Sequence, residues 1–375
     1  MRYYVIAGEA SGDLHASRLI RAIKQNDSDA SIRAWGGDLM ENEGAILVKH
    51  YRDLAFMGFT EVLLNLRTIL SNMKFCKKDM IEFNPDVVIF VDYPGFNIPM
   101  ASFAKKNGLK TAYYISPQIW AWKEKRVHTI KKVVDKMMVI LPFEKDFYKK
   151  WNYEVEYVGH PLIEIIDGFK DSFNVEKFKK GLGLVDNKKV VALLPGSRIQ
   201  EIRKKLPVML EATKEFPDLL FILAQATSLS DDLIQQYTKN YPNLQVVKDQ
   251  TYALLSIADA ALVTSGTATL ETALFKVPEI VCYKGSPISY QIGKKLIKVP
   301  FISLVNLIMG KKVVQELIQD ELTSNNIKKE LQKIISSGVI RETMIKEFNK
   351  LHSLLSTGGS ASYKAADIIK KMISK

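Results

Sequence analysis

The sequence predicts an α/β protein of two doubly wound domains, and three observations lead to this class. Short apolar runs alternate with segments of helical periodicity, and this alternation starts again near residue 190. The run Val-Val-Ile-Phe-Val at 87–91 is apolar at every position, which is typical of a parallel strand covered on both faces. A chain of 375 residues exceeds one typical domain and suits two.

The first half of the chain is expected to form an N-terminal domain, residues 1–165. Its apolar runs predict strands at 3–7, 87–91, 110–115 and 136–140. After the first strand, helical spacing is shown by Ala16, Leu19, Ile20 and Ile23. The polar, glycine-containing stretch 161–189 is expected to link this domain to the next.

The second half repeats the pattern and is expected to form a C-terminal domain, residues 170–355. Its apolar runs predict strands at 190–194, 219–224, 244–247, 260–264 and 279–283. Gly358-Gly359 breaks the chain, and the segment 358–375 predicts a last helix with one apolar side, which we expect to pack on an N-terminal domain.

The formal net charge of +12 favours anionic partners such as phosphorylated metabolites or an anionic membrane surface. Nucleic acid is not expected, because no stretch reads as a recognition helix, a zinc finger or an aromatic RNA platform. Cys76 and Cys282 are the only cysteines, which favours a reducing cytoplasm over a disulfide scaffold. The five histidines lack metal-ligand spacing, so neither a metal nor a cofactor is predicted.

Two strand-to-helix junctions in the second half predict a phosphate site. Gly196, Ser197 and Arg198 follow the strand at 190–194, and Ser265, Gly266 and Thr267 follow the strand at 260–264. Such junctions direct backbone N–H groups and the positive end of a helix at one point, and an arginine adds a planar fork for phosphate oxygens. We expect a nucleotide diphosphate between them, and the alternative is two ordinary turns.

A carboxylate in the second of these helices extends the prediction. Glu271 falls in the first turn after Ser265–Thr267, where a negative charge is favourable for the helix dipole. It is placed to accept hydrogen bonds from a ribose diol. The nucleotide interpretation therefore includes Glu271.

Two further loops at strand ends are candidates for chemistry. Asp92 ends the apolar strand at 87–91, where partial desolvation raises the pKa of a carboxylate and makes it a better base. The alternative is that Asp92 merely caps this turn. Asn97 is expected to cap the segment that follows. The loop 8–13 either lets a substrate approach the backbone or is a plain turn capped by Ser11 or Asp13, and its spacing is wrong for a dinucleotide site.

Two apolar stretches have both a structural and a functional interpretation. Trp120 and Trp122 lie beside three basic residues and form either a wall next to an anionic group or a core pair. The stretch 60–78 is either a core helix or a surface that touches lipid, because its apolar residues are flanked by lysine and arginine. The residues assigned to lipid contact are Leu63, Leu64, Leu66, Ile69, Leu70 and Met73.

Eight segments spread over nearly the whole chain have a recognisable sequence. They are Gly-Glu-Ala-Ser-Gly-Asp at 8–13, Met-Gly-Phe-Thr-Glu-Val-Leu at 57–63, Val-Asp-Tyr-Pro-Gly-Phe-Asn at 91–97, Pro-Gln-Ile-Trp-Ala-Trp at 117–122, Val-Gly-His-Pro-Leu at 158–162, Leu-Pro-Gly-Ser-Arg at 194–198, Ser-Gly-Thr-Ala-Thr-Leu-Glu at 265–271 and Gln-Glu-Leu at 315–317. In these segments and in their order, the chain resembles the lipid-A-disaccharide synthases, a family of bacterial inverting glycosyltransferases.

The resemblance implies a GT-B fold, in which two Rossmann-like domains face each other across a cleft and the second binds UDP. The implied donor is UDP-2,3-diacylglucosamine, the implied acceptor is 2,3-diacylglucosamine 1-phosphate (lipid X), and the product is the β-1,6-linked disaccharide 1-phosphate. It further implies a peripheral protein on the cytoplasmic face of the inner membrane. A homodimer that exchanges C-terminal segments is a further implication. With lipid substrates, the contact of 60–78 with the membrane becomes the favoured interpretation.

The resemblance also suggests roles for individual residues. Asp92 would take the proton of the acceptor hydroxyl, and Arg198 would stabilise the leaving diphosphate without a metal ion. The nucleotide pocket would be lined by Glu271 and, on family position alone, by Asn306, Gln315 and Glu316. The remaining substrate contacts would come from Gly8, Ser11, Gly12, Asp13 and Asn97.

Two rival functions stay open at this point. A UDP-N-acetylglucosamine 2-epimerase-like isomerase would use the same nucleotide site but no lipid acceptor. A non-catalytic peripheral membrane protein would use only the basic and leucine-rich surface. Specific UDP binding speaks against the second, and product analysis separates the first.

Overall fold

The computed structural model describes residues 1–53, 65–184, 188–241, 244–286, 290 and 299–374. The chain divides into two compact units. The first unit contains Met1–Pro161 together with Leu355–Lys375, and the second contains Leu162–Leu354.

Both units are built on parallel β-sheets, which confirms the predicted α/β class. Strands predicted from apolar runs occur close to the expected positions. In chain order the strands are β1 Arg2–Ala7, β2 Ser31–Gly36, β3 Ile46–His50, β4 Val87–Val91, β5 Lys110–Tyr114, β6 Lys136–Val139, β7 Glu156–Tyr157, β8 Val190–Leu194, β9 Leu220–Gln225, β10 Leu244–Lys248, β11 Ala260–Thr264, β12 Glu279–Tyr283 and β13 Gln315–Ile318.

Helices follow most strands and cover the sheets. In chain order they are α1 Ala10–Asn26, α2 Asp38–Asn42, α3 Leu66–Phe83, α4 Pro94–Lys106, α5 Ile119–Trp122, α6 Val127–Val133, α7 Glu144–Lys149, α8 Pro161–Ser172, α9 Val175–Gly181, α10 Ile199–Thr213, α11 Asp231–Thr238, α12 Thr251–Leu255, α13 Thr267–Leu274, α14 Leu304–Met309, α15 Ser324–Ile335, α16 Val339–Ser356 and α17 Ala361–Ile373.

In the described part of the first unit, the sheet has seven strands in the order β3-β2-β1-β4-β5-β6-β7. Strand β4 lies at its centre and is fully buried, as its apolar sequence predicts. Strands β2, β3 and β7 are additions to the predicted set. Strand β7 has only the two half-buried residues Glu156 and Tyr157, so it has no apolar run that would mark it. Strand β3 begins with the apolar run Ile-Leu-Val at 46–48 and is missing from the predicted set despite that run.

The sheet of the second unit has six strands over its described residues, in the order β10-β9-β8-β11-β12-β13. Strands β8 and β11 are neighbours, so their carboxyl ends lie side by side. Strand β13 is not predicted from the sequence, because Gln315 and Glu316 interrupt its apolar pattern. The stretch expected to be a polar link folds instead as α8 and α9, because α8 buries Leu162, Ile165 and Ile166 at helical spacing.

The last helix packs on the first unit. Helix α17 lies against α1 and buries Ala361, Ala365 and Ile369 in the core beneath it. Just before α17, Gly358 passes so close to Gly159 that an added Cβ would lie 2.2 Å from the Gly159 nitrogen, so glycine is required there. Exchange of this segment between two chains stays a prediction.

Candidate functional site

The two predicted phosphate junctions lie together in the second unit. They line one cavity of about 370 Å³ at the carboxyl ends of β8 and β11, the end of an open parallel sheet where ligands bind. From the first junction come Gly196, Ser197 and Arg198, and from the second come Ser265, Gly266 and Thr267. Glu271 also lines the cavity.

Glycine is required at both junctions. Gly196 has φ 117° and Gly266 has φ 140°, a backbone region that side chains strain. At Gly196 an added Cβ would also lie 2.3 Å from the Glu201 Oε2 atom. The backbone at each junction can therefore approach a ligand without an intervening side chain.

The charges around the cavity differ from the expectation in one respect. The backbone N–H groups of Ser197 and Arg198 donate to the Glu201 carboxylate, at 3.1 Å and 3.3 Å. The junction pattern predicts that these groups are free for a phosphate, and it assigns no role to Glu201. Glu201 lies three residues after Arg198, the N-cap residue of α10, which is the capping-box spacing and the signal available in the sequence.

On the opposite side of the cavity, Glu271 accepts a hydrogen bond from the Tyr252 hydroxyl at 2.7 Å. Burial raises the pKa of Glu271, and the Tyr252 bond opposes this rise. Thr251, which follows β10, lines the cavity beside Glu271. Neither Thr251 nor Tyr252 belongs to the predicted site, although both follow a strand end where ligand contacts are expected.

The three residues assigned from family position form a separate cluster near Ser265, in which Asn306 is buried and Glu316 is half-buried. Glu316 accepts from the backbone N–H groups of Ile302 and Ser303 and from the Asn306 side chain. Asn306 is fully buried and bonds the backbone around Val314, whereas Gln315 is half-buried. The Ser265 hydroxyl donates to the Ile302 carbonyl at 3.0 Å. Among the described residues, this cluster supports the second junction and does not line the cavity.

In the first unit, Asp92 lies at the carboxyl end of β4 in an unusual turn. Asp92 has φ 44° and Tyr93 has φ 49°, although neither is glycine. The Asp92 carbonyl accepts hydrogen bonds from the Tyr113 hydroxyl at 2.6 Å and from the Asn97 amide at 2.7 Å. Burial, and then the nearby Glu9 carboxylate, raise the pKa of Asp92 to about 6.

The loop 8–13 lies beside this turn, because β1 pairs with β4. An added Cβ at Gly8 would lie 2.1 Å from the Tyr93 ring, so the two loops pack directly. Gly12 is buried against Ala7, and Ser11 is exposed at the start of α1. These contacts bring Ser11 and Glu9 to the same strand end as Asp92.

Two residues expected to touch substrate are buried and bond the backbone instead. Asp13 accepts from the N–H groups of Gly37 and Met40 and so caps α2. Asn97 is fully buried and donates to the carbonyls of Val91 and Asp92. Both side chains hold loops in place, and contact of Asp13 or Asn97 with a substrate stays a prediction.

The apolar patch predicted on 60–78 falls partly on helix α3. The buried side of this helix is formed by Asn72, Cys76, Asp79, Met80 and Phe83. Leu66 and Leu70 are exposed, at 48% and 56%, and Ile69 and Met73 are half-buried. Leu63 and Leu64 lie outside the described residues.

Neither a metal cluster nor a membrane-spanning helix occurs among the described residues. No group of three or more His, Cys, Asp and Glu side chains in these ranges is arranged to hold a metal ion. None of the helices that the structure describes is long and apolar enough to cross a membrane.

Comparison with known proteins identifies the family. Residues 3–369 match the family described as "Lipid-A-disaccharide synthetase". The chain belongs to this family. A lipid-A-disaccharide synthase of Syntrophus aciditrophicus is 40% identical over 98% of this chain and 97% of its own. One of Coxiella burnetii is 38% identical over 98% of both chains. Membership makes the chain a glycosyltransferase that acts on lipid sugars.

Solved structures that resemble this member of the family confirm the GT-B fold. A UDP-GlcNAc 2-epimerase of Neisseria meningitidis superimposes with a TM-score of 0.65 over 100% of both chains, at 11% identity. The calicheamicin glycosyltransferase CalG4 gives a TM-score of 0.63 at 13% identity, over 100% of this chain and 98% of its own. At such identities the likeness concerns the fold alone, so the epimerase alternative gains nothing from it.

Proposed function

We propose that this chain transfers 2,3-diacylglucosamine from UDP-2,3-diacylglucosamine to 2,3-diacylglucosamine 1-phosphate. The products are the β-1,6-linked disaccharide 1-phosphate and UDP. The observation that carries the proposal is the cavity in which both junctions and Glu271 meet. Together with membership of the family, it supports a nucleotide diphosphate as the bound part of the donor.

The cavity is suited to the leaving group. Arg198 presents a planar fork to phosphate oxygens, and Gly266 lets the backbone of the second junction approach them. At the first junction, where the N–H groups of Ser197 and Arg198 donate to Glu201, Arg198 is the group that we assign to the phosphates. The N-termini of α10 and α13 add positive partial charge. Glu271 is the group we assign to the ribose hydroxyls. Charge that develops on the diphosphate as its bond to the sugar breaks is stabilised by groups already in place.

In the first unit, Asp92 is the proposed base. The acceptor 6-hydroxyl oxygen attacks the anomeric carbon, the bond to UDP breaks, and its electron pair leaves with UDP. Asp92 takes the hydroxyl proton. A pKa of about 6 leaves the carboxylate ionised at neutral pH and more basic than an ordinary aspartate. Asn97 and Tyr113 fix the turn that carries it.

We further propose that the exposed apolar side of α3 touches the cytoplasmic face of the inner membrane. Leu66 and Leu70 are exposed beside the basic residues Arg67 and Lys74, which are exposed as well. Apolar side chains next to cationic ones are suited to an anionic lipid surface. This placement is consistent with a peripheral protein that draws its substrates from the bilayer.

The reaction is tested by incubating the chain with both lipid substrates and identifying the products by mass spectrometry, with and without a chelator. A disaccharide 1-phosphate that forms equally in chelator supports a transferase that works without a metal ion. Release of UDP without disaccharide would indicate hydrolysis, and conversion of UDP-N-acetylglucosamine alone would indicate an epimerase. Either result contradicts the proposal.

Membrane contact is tested by sedimentation with anionic vesicles. We expect Leu66→Ser with Leu70→Ser to reduce binding, because burial of a leucine in lipid is worth about 1.5–3 kcal/mol. Ile81→Ser is the matched control, since Ile81 is an exposed apolar residue on the same helix. Equal vesicle binding by the unmodified chain, the double leucine variant and the Ile81 variant would contradict the proposed contact of α3 with the membrane.

A further inference from the structure

Lys205 is a buried cation beside the nucleotide cavity, and the mechanism above does not use it. It lies on α10, one helical turn after Glu201, and is only 3% exposed. A buried lysine is expensive unless its charge is paired and hydrogen-bonded. The groups that pair and hydrogen-bond the Lys205 ammonium therefore indicate its role.

Those partners flank the two phosphate junctions, one beside each. The Lys205 ammonium donates to the Thr264 hydroxyl at the end of β11. Its Nζ atom also lies 3.5 Å from the Glu201 Oε1 atom. Thr264 and Glu201 both line the cavity, whereas Lys205 is not among the lining residues. Lys205 thus connects the two junctions from beneath.

The connection continues to the backbone that would meet a phosphate. Glu201 accepts the N–H groups of Ser197 and Arg198 through its other oxygen, Oε2. Without a neighbouring cation, the Glu201 carboxylate would repel a diphosphate bound at the same loop. Lys205 offsets that charge and holds the carboxylate against α10.

The other groups around Lys205 agree with this picture. Burial lowers the pKa of Lys205, the Glu201 carboxylate raises it, and Cys282 and Arg198 act more weakly in opposite directions. Thr264 is the remaining hydrogen-bonding partner described. The ammonium is therefore held mainly by one carboxylate and one hydroxyl, one beside each junction.

From this geometry we infer that Lys205 is a positioning residue for diphosphate recognition, acting through Glu201 and Thr264. The inference rests on the proposed nucleotide site and extends it to a residue that does not touch the nucleotide. Lys205 should therefore affect the affinity for the phosphates and not for the nucleoside, because both of its partners flank the phosphate junctions.

The test compares UDP with uridine on the full chain. Lys205→Met keeps the length of the side chain and removes its charge and donors. Lys204→Met makes the same change at the next position, for which the described contacts include no ion pair. We expect Lys205→Met to weaken UDP binding roughly tenfold relative to Lys204→Met, a size typical of energetic coupling between groups. Uridine binding should not change.

Calorimetry for UDP and ligand-observed NMR for uridine separate the outcomes. Equal UDP affinity in both variants would overturn the inference and leave the nucleotide site intact. Equal losses for UDP and uridine would show a general structural role and would also overturn it. Failure of the unmodified chain to bind UDP would overturn the proposed site and the inference together.

A second pair of variants decides the matter if Lys205→Met does not fold. Thr264→Val removes the hydroxyl that Lys205 bonds and keeps the shape, and Thr264→Ser retains the hydroxyl. We expect the valine variant to lose UDP affinity while keeping uridine affinity, and the serine variant to resemble the unmodified chain. Unchanged UDP affinity in Thr264→Val would contradict the inference.

Discussion

The two units build the same kind of junction, a loop between a parallel strand and a helix, in opposite ways. At the two phosphate junctions of the second unit the positive φ angles fall on Gly196 and Gly266. At the junction that follows β4 in the first unit they fall on Asp92 and Tyr93, where side chains make such angles costly. Hydrogen bonds from Asn97 and Tyr113 to the Asp92 carbonyl hold the strained turn.

The difference arises from the group that each junction must present. A diphosphate is bound by backbone N–H groups, so the best residue at the turn has no side chain. A base must carry its carboxylate at the turn itself, so strain is tolerated and the surrounding structure restrains it. In this interpretation the second unit binds through its backbone and the first unit acts through a side chain.

The substitution with the largest expected effect tests whether the first unit acts through the side chain of Asp92. Asp92→Asn keeps the size of the side chain and its tolerance for positive φ but cannot accept the proton. We expect turnover to fall by roughly 10²–10⁴-fold, the usual contribution of a general base. UDP affinity should not change. Asp29→Asn, an exposed position in the same unit, is the control. Near-normal turnover of the Asp92 variant would remove it as the base.

A substitution at Gly196 tests whether the second unit binds the diphosphate through its backbone. An added methyl group meets a positive φ and the Glu201 carboxylate together, and such strain is worth about 1–3 kcal/mol. We therefore expect Gly196→Ala to lower UDP affinity by roughly tenfold or more. Gly181→Ala is the control, because its Cβ meets no neighbour and its φ is ordinary. Calorimetric titration with UDP measures both, and equal affinities would contradict the backbone interpretation.

A smaller effect is expected at Tyr252, which supports Glu271. Tyr252→Phe removes one hydrogen bond to the carboxylate, worth about 0.5–1.5 kcal/mol, or roughly 3–10-fold in UDP affinity. If Tyr252 acts through the ribose site, the loss should shrink with 2′-deoxy-UDP. Tyr241→Phe, in the same unit, is the control. If Tyr252→Phe lowers the affinity for UDP and for 2′-deoxy-UDP equally, Tyr252 has no part in recognition of the ribose.

The smallest effect is a shift in pH dependence. Asp92 must be ionised to accept a proton, so turnover should rise with pH through about 6. Glu9 is the second cause of the raised pKa, after burial. Glu9→Gln should therefore move the midpoint of kcat against pH to a lower value, and Glu41→Gln, at an exposed position, should not. A midpoint that stays in place would show that Glu9 does not act on Asp92.

Sequence patterns predicted the fold well where the signal is local. Buried parallel strands such as β4, β8 and β11 are continuous apolar runs, because both faces of the sheet are covered. The edge strand β7, with only Glu156 and Tyr157, has no such signal, whereas the edge strand β3 carries a short run, Ile-Leu-Val, that is not among the predicted strands. The same limit hid α8, whose apolar spacing is interrupted by charges in a stretch that looked like a link.

By itself, the sequence determined the two α/β halves, the phosphate junctions and the candidate base, since each depends on residues that are adjacent along the chain. Only the tertiary structure decided which polar residues face a cavity and which are buried supports. Asp13 and Asn97 are polar residues in motifs and Asn306 is assigned from family position, yet each bonds backbone groups that are distant in sequence or buried. Lys205 has no signal in the sequence for the converse reason: a lysine on a helix is expected to be solvated, and its burial depends on the packing of β11 against α10. Burial and partners across strands are properties of packing, and no local pattern contains them.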